Sequence, residues 1–390
     1  MILPILTNSQ KRSAGILAVI ALAAAAVAKA IGELPVRFVQ IWDFLSSLAL
    51  KASVPAITLE IVSMVIQCSL IIGFISVSVM FMVWWERKIA AHIQLRLGPM
   101  VTGGWHGWAQ TIADAIKLLL KEDIVPAAAS PWVHRLAPVL AFVPAFLCYA
   151  ALPFGRGTVS ADLDIGVLYI FALSGISVLG IVMAGWGSGN KYSMLGGLRA
   201  AAQSVSYEIP RVLSIVPVLM FAGSLKLTTI ARHQEGFWKL GGLPVLPKWF
   251  LFYPVIGQIS FLIFLICSVA ETNRTPFDIA EAESELVAGF HTEYSGMKFS
   301  FFFLAEYAFV FLSSGMTAAL FLGGGSGPFL PSWFWFLIKS FGVVFLFIWF
   351  RWTYPRLRVD RLMEFTWKFL LPWSLANILI TGFAMLVNGK

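Results

Sequence analysis

Charge is scarce in this chain of 390 residues: Asp, Glu, Lys and Arg together make up 12% of it, against roughly 25% in a soluble domain. That leaves too few charges to cover a water-facing surface. With 59% hydrophobic residues and a mean hydropathy of +0.83, a soluble globular protein is excluded. Cysteine is equally rare. Cys68, Cys148 and Cys267 are isolated and fall inside apolar runs, so they read as small buried hydrophobes and offer neither a disulfide framework nor a metal site. His92, His106, His134, His233 and His291 lie far apart, and no HExxH or paired-cysteine spacing occurs; nothing in them points to a metal. A phosphate-cradling loop is also missing. Gly323–Gly325 follows an apolar run without the Gly-Lys-Ser/Thr ending, and Gly185–Gly189 and Gly196–Gly197 read as turns. No loop carries the contiguous basic patch with stacking aromatics that a nucleic acid needs.

What the chain does have is apolar runs long enough to cross about 30 Å of hydrocarbon. They predict nine transmembrane helices, near Ser13–Ile31, Ala56–Trp84, Leu136–Leu152, Ile165–Ala184, Ile209–Leu225, Phe252–Ala270, Phe299–Leu322, Phe334–Phe350 and Leu370–Leu386. The fold class is therefore an all-α polytopic membrane protein. A β-barrel is excluded, because barrel strands are alternating segments of about 10 residues and these runs are continuous. Ser13–Ile31 is poor in large side chains and follows Lys11 and Arg12, so an interfacial helix or a cleaved signal stand beside a membrane span as its readings.

Lys and Arg concentrate in the connections 86–135, 186–211, 271–298 and 351–368, which the positive-inside bias assigns to the cytoplasm. The same bias accounts for the net charge of +8. Nine spans then place the N-terminus inside and the C-terminus outside. The aromatic residues, mostly within or at the ends of spans, serve packing and interface anchoring.

Three cytoplasmic segments carry chemistry. Trp105–Lys121 is predicted to be a surface helix, with Trp108, Ile112, Ala115 and Leu119 on its apolar face and Gln110, Asp114, Lys117 and Lys121 on the other. It is either a strut or the wall of an entrance for an amphipathic molecule. A second helix over Leu198–Arg211 sets Ser204, Glu208 and Arg211 on one side and Arg199, Gln203 and Tyr207 on another; Glu208, at the mouth of a span, either pairs with an Arg or faces a hydrated cavity. Pro210 and Pro217 interrupt its backbone pairing. The third segment holds Glu271, Arg274, Asp278, Glu281, Glu283, Glu285, His291 and Glu293. Thr275-Pro276 ends or kinks the helix before it. Beyond, the spacing predicts a helical face shared by Asp278, Glu281 and Glu285, with Glu283 opposite, whose mutual repulsion calls for Arg partners, water or retained protons. A solvated docking loop would show the same count of acids. Glu306, about two turns inside the next span, favours a proton relay instead.

Several of these words occur together in one family. Glu86-Arg87-Lys88 with Arg96-Leu97-Gly98-Pro99, Ala113-Asp114 through Asp123, Ser206-Tyr207-Glu208, Glu271-Thr272-Asn273-Arg274-Thr275-Pro276-Phe277-Asp278 through Phe290, and Arg351 with Pro355-Arg356, Arg358 and Asp360 make the chain resemble one family of membrane subunits of proton-translocating NADH:quinone oxidoreductase, respiratory complex I, namely the H subunits of bacteria and their mitochondrial counterpart, subunit 1. The resemblance runs from about Ala56 to the C-terminus, so that residues 1–55 form an N-terminal extension with an extra helix and 56–390 a quinone-channel domain of eight family helices. It implies a multi-pass component of the bacterial inner membrane, not catalytic alone, with quinone as substrate and no covalently bound cofactor. Iron–sulfur clusters and flavin would belong to partner chains of the hydrophilic arm, and the small membrane-arm subunits and lipids would be the other neighbours. Ubiquinone and menaquinone are equally compatible. Carried onto this sequence, the quinone tunnel would be formed by Arg87, Lys88, Gln94, Arg96, Asp114, Arg199, Phe290 and Arg358, and its entrance by Trp108 and Ile112. Proton coupling would fall to Glu208, Glu271, Arg274, Asp278, Glu281, Glu283 and Glu285. Membrane-bound hydrogenases and formate hydrogen-lyases share the topology and are the alternative. A stand-alone secondary transporter is disfavoured by the lack of two similar halves with broken helices.

Overall fold

A computed structural model describes residues 56–240, 243–280 and 283–387. Its helices are α1 (Ala56–Ile93), α2 (Gln110–Leu120), α3 (Pro131–Cys148), α4 (Gly166–Gly187), α5 (Lys191–Ala222), α6 (Leu227–His233), α7 (Ile256–Glu271), α8 (Glu283–Leu286), α9 (Gly296–Phe321), α10 (Ser332–Thr353), α11 (Val359–Phe365) and α12 (Leu371–Val387), the last two joined by a π-helical turn at Thr366–Leu370. Among the described residues seven helical runs are long and apolar enough to cross a membrane, and α7, at 16 residues, is a shorter apolar helix. At 1.5 Å per residue α7 covers about 24 Å. Its expected start at Phe252 is lost to a turn around Pro254 and Val255, the latter at φ +65°. Each expected span from Ala56 onward thus finds a helix, while Ser13–Ile31 lies outside the described residues.

The chain is predominantly helical, with one short hairpin beside the helices. Strands β1 (Phe237–Leu240) and β2 (Leu243–Pro247) pair antiparallel. The Gly241-Gly242 pair between them in the sequence is a standard hairpin signal. Packing is uneven across the bundle: 61% of the apolar window of α9 is buried but only 17% of that of α1, so α9 is the axis and α1 stands at the rim. Cys148 and Cys267 are buried as expected, whereas Cys68, on α1, is exposed.

Two local predictions change. The surface helix begins at Gln110, because Gly103, Gly104, His106 and Gly107 take positive φ and hold 103–107 in turns. The segment Leu198–Arg211 is no separate helix; it is continuous with the following span in the 32 residues of α5, through Pro210 and Pro217. Gly196 is accordingly a packing residue inside α5 and not a turn, just as Gly185 lies within α4. A Cβ at Gly196 would lie 2.8 Å from the Cα of Gly289, so two glycines let the loop after α8 press against α5.

Candidate functional site

Three places gather the polar groups. The first is a groove of about 490 Å³ between α1, α2 and α9, lined by apolar groups such as Val79, Val83, Leu118, Phe303 and Leu304 and by the polar Arg87 and Asp114. Arg87 Nη1 lies 2.6 Å from Asp114 Oδ2, and Gln110 donates to Asp114 Oδ1 at 3.3 Å. The supposedly water-facing side of α2 therefore turns inward to α1, with Thr111 buried. Trp108, Ile112, Ile116 and Leu119 stay exposed, an apolar face suited to lipid. Lys88 is buried and pins the loop after α1, donating to the Pro99 carbonyl at 2.5 Å.

The second place is an ionic network buried between α1, α5, α7, α9 and α10. Glu86, the last acid of the apolar stretch of α1, accepts from Arg274 Nη1 at 3.1 Å, Tyr307 Oη at 2.8 Å and Arg351 Nη1 at 2.6 Å. Arg274 Nε reaches Glu306 Oε1 at 2.9 Å, and its guanidinium lies 4.2 Å from the Tyr307 ring centroid. Burial opposes the Arg274 charge, but Glu306, Tyr307 and Glu86 outweigh it and raise its pKa well above the ordinary value. Arg211, buried on α5, pairs with Glu271, donates to Ser313 Oγ at 3.1 Å and stacks over Phe171 and Phe264. Between the two Arg pairs lies a cavity of about 50 Å³ lined by Ser174, Ser177, Ser204, Glu271, Phe290, His291 and Glu306 among others, room for a few waters. Burial pulls the His291 pKa down to about 3, so its imidazole is neutral. Glu208 lies half-buried on α5 against Gly175 of α4, where a Cβ would meet its Oε1 at 3.5 Å.

The third place is an open basic mouth lined by Arg199, Glu285, Arg356, Arg358 and Asp360. Arg199 donates to Glu285 at 2.7 Å and thereby lowers its pKa. Arg358 pairs with Asp360 at 3.2 Å on the surface, and Arg96 donates to Gln94 at 2.7 Å in an exposed loop.

The sequence-selected residues are thus divided. Arg87 and Asp114 line the groove, Phe290 lines the carboxylate cavity with Glu271, and Arg199 and Arg358 belong to the mouth. Glu271 and Arg274 join the network. Asp278 is half-buried in an irregular segment that follows the Thr275-Pro276 bond, and residues 278–280 are not helical, so Asp278 takes no part in the expected helical face. Glu281 lies outside the described residues, and the side chain of Glu283 is likewise not described. Glu86 and Arg351, read from the sequence only as motif residues, Arg211, read as one side of a helix, and Tyr307, which the sequence did not single out, complete the network. The missed signal was depth, since an ionisable residue in an apolar helix needs a partner.

Glu86, Glu208, Glu271 and Glu306 are four carboxylates against the three guanidiniums of Arg211, Arg274 and Arg351. One of the four can hold a proton without stranding a buried cation. Of these carboxylates, Glu86 and Glu306 share Arg274, while Glu271 pairs with Arg211.

A family model described as NADH dehydrogenase matches residues 66–382. The chain is 49% identical over 326 residues to the H subunit of the NADH-quinone oxidoreductase of Dehalococcoides mccartyi (strain CBDB1), covering 84% of this chain and 88% of the relative. It is similarly 49% identical over 316 residues to the protein of the same name from Anoxybacillus flavithermus (strain DSM 21510 / WK1), covering 80% and 90%.

Proposed function

Because the chain belongs to the NADH dehydrogenase family, and so works as a part of an enzyme assembly rather than a catalyst alone, we propose that it binds quinone in the membrane arm of a bacterial NADH:quinone oxidoreductase and begins the charged path that couples reduction to proton movement. The observation that carries this reading is the groove between α1, α2 and α9, whose lining is mostly apolar and includes the Arg87–Asp114 pair. An apolar tail would lie along Val83, Leu118 and Phe303 while a polar headgroup passes the ion pair. Lys88, Gln94 and Arg96 would shape the loop beyond it, and Arg199, Phe290 and Arg358 the path toward the partner subunits that hold the iron–sulfur clusters and flavin. Reduction changes the charge near the cavity, and Glu208, Glu271, Arg274, Asp278, Glu281, Glu283 and Glu285 respond through shared protonation. In this reading Ser13–Ile31 is a ninth span, the N-terminus is cytoplasmic and the C-terminus external, and residues 56–390 form the quinone-channel domain.

Ser300 lines the groove, so Ser300→Trp tests it. The apparent quinone KM should rise about tenfold, equivalent to about 1.4 kcal/mol, while NADH oxidation by a water-soluble acceptor upstream of quinone stays unchanged. An unchanged quinone KM in the assembled variant refutes the groove.

A further inference from the structure

Gln203 of α5 belongs to none of the three places, yet its side chain holds the backbone on both sides of the segment that supplies Glu271 and Arg274. Its Nε2 donates to the Ala270 carbonyl, in the last turn of α7, and to the Phe277 carbonyl beyond Pro276, each at 2.7 Å. One turn further along α5, the Tyr207 ring centroid lies 5.5 Å from that of Phe277. Glu271 and Arg274 fall between the two grip points. From there Glu271 pairs with Arg211, also on α5, and Arg274 reaches Glu86 at 3.1 Å and Glu306 at 2.9 Å.

The bonding of Gln203 is one-sided. Both protons of its amide nitrogen are spent on the two carbonyls, whereas Oε1 is buried and finds no donor among the described residues. Gln203 is 1% exposed, so that oxygen carries a desolvation cost which a side chain kept for stability alone would avoid. Two carbonyls need two donors from one atom. Met would fill the same space with none, and a carboxyl would offer at most one proton. The gripped segment is also held from its other flank, where the Leu357 amide donates to the Pro276 carbonyl at 3.0 Å. Of these hydrogen bonds only those of Gln203 come from a side chain, and so only they can be removed by substitution.

We propose that Gln203 is a positioning residue for the acidic segment: by gripping it at Ala270 and Phe277 it sets the reach of Glu271 to Arg211 and of Arg274 to Glu86 and Glu306. Its purpose rests on the coupling role proposed above, but the grip itself is measurable without turnover. Amide hydrogen exchange of the intact complex is followed by mass spectrometry, and turnover per assembled complex is measured with a short-chain quinone. In Gln203→Met the amides of residues 271–279 should exchange about tenfold faster, as a local opening made easier by about 1.4 kcal/mol would. The kcat should fall about tenfold at an unchanged quinone KM, because the groove is left intact while the charged groups are misplaced. Gln203→Glu keeps the shape and at most one donor, so it should lie between wild type and Gln203→Met in both readouts, and it carries the test if Gln203→Met does not assemble. A merely structural glutamine would lower the amount of complex and leave exchange and turnover per complex alone. Wild-type exchange across 271–279 in the assembled variant overturns the grip. Faster exchange with wild-type kcat and full proton pumping keeps the grip and overturns instead the coupling role on which its purpose rests.

Discussion

Replacing Arg274 by Met tests whether the buried network depends on this one cation. Arg274 is 3% exposed and bonds Glu86 at 3.1 Å and Glu306 at 2.9 Å. Removing one partner of a buried ion pair costs about 3–5 kcal/mol, mostly because the remaining charge is left in a low-dielectric site. Glu86 keeps Arg351 at 2.6 Å and Tyr307 at 2.8 Å, so its own share of the loss is small. The low end, about 3 kcal/mol or roughly a hundredfold in the folding equilibrium, is the expected cost. In the double variant Arg274→Met/Glu306→Gln the cation and the carboxylate it pairs with are neutralised together, and the residual loss should fall to about 1 kcal/mol for the missing hydrogen bonds. The single variant should therefore be less stable than the double. The assay heats detergent-extracted membranes through a temperature ramp and measures intact complex on native gels. If the double variant melts at or below the single, the network is not held by the Arg274–Glu306 charge pair and the reasoning fails.

Asp278→Asn, Glu281→Gln and Glu283→Gln should each assemble yet lose quinone-reductase rate and proton pumping together, with Glu281→Gln harsher than Glu281→Asp; wild-type rate and pH gradient in all three amide variants would reduce the loop to a docking surface. For His291, the folded pKa near 3 lies below the ordinary value of 6.5, so its contribution is complete above about pH 6.5 and is lost as pH falls toward 3, at up to about 1.4 kcal/mol per pH unit. Thermal melting of the complex between about pH 7.5 and about pH 5 should show that slope in wild type and a shallower one in His291→Asn. Trp108→Asp with Ile112→Asp should loosen the exposed apolar face of α2 from the lipid and raise the apparent quinone KM, and unchanged kinetics in intact complex would leave α2 a strut. Gly196→Val would force a side chain into the 2.8 Å approach to Gly289 and should cost at least about 1–3 kcal/mol, read as lost assembled complex; a variant that assembles at wild-type amounts would show that the loop can retreat.

Membrane residence, the existence of an apolar helix at each expected span from Ala56 onward and the richness of the 271–293 segment in acids were all decided by the sequence. Continuous apolar runs and intramembrane charges have few physical solutions, and they are local properties of the chain. Glu271, Arg274 and Glu306 could be picked out for the same reason: each sits where solvation is poor. Which charge meets which was not legible. Glu86 and Arg351 are separated by 265 positions and bond at 2.6 Å, and Arg211, expected on a partly polar helix side with Glu208, is buried against Glu271 and Ser313. Helical spacing also misplaced Asp278, since it assumes a helix where residues 276–280 are irregular. Only the tertiary structure decided these matters, because the packing of α1, α5, α7, α9 and α10 brings together side chains that helix periodicity alone cannot relate, and burial then requires every one of their charges to find a partner.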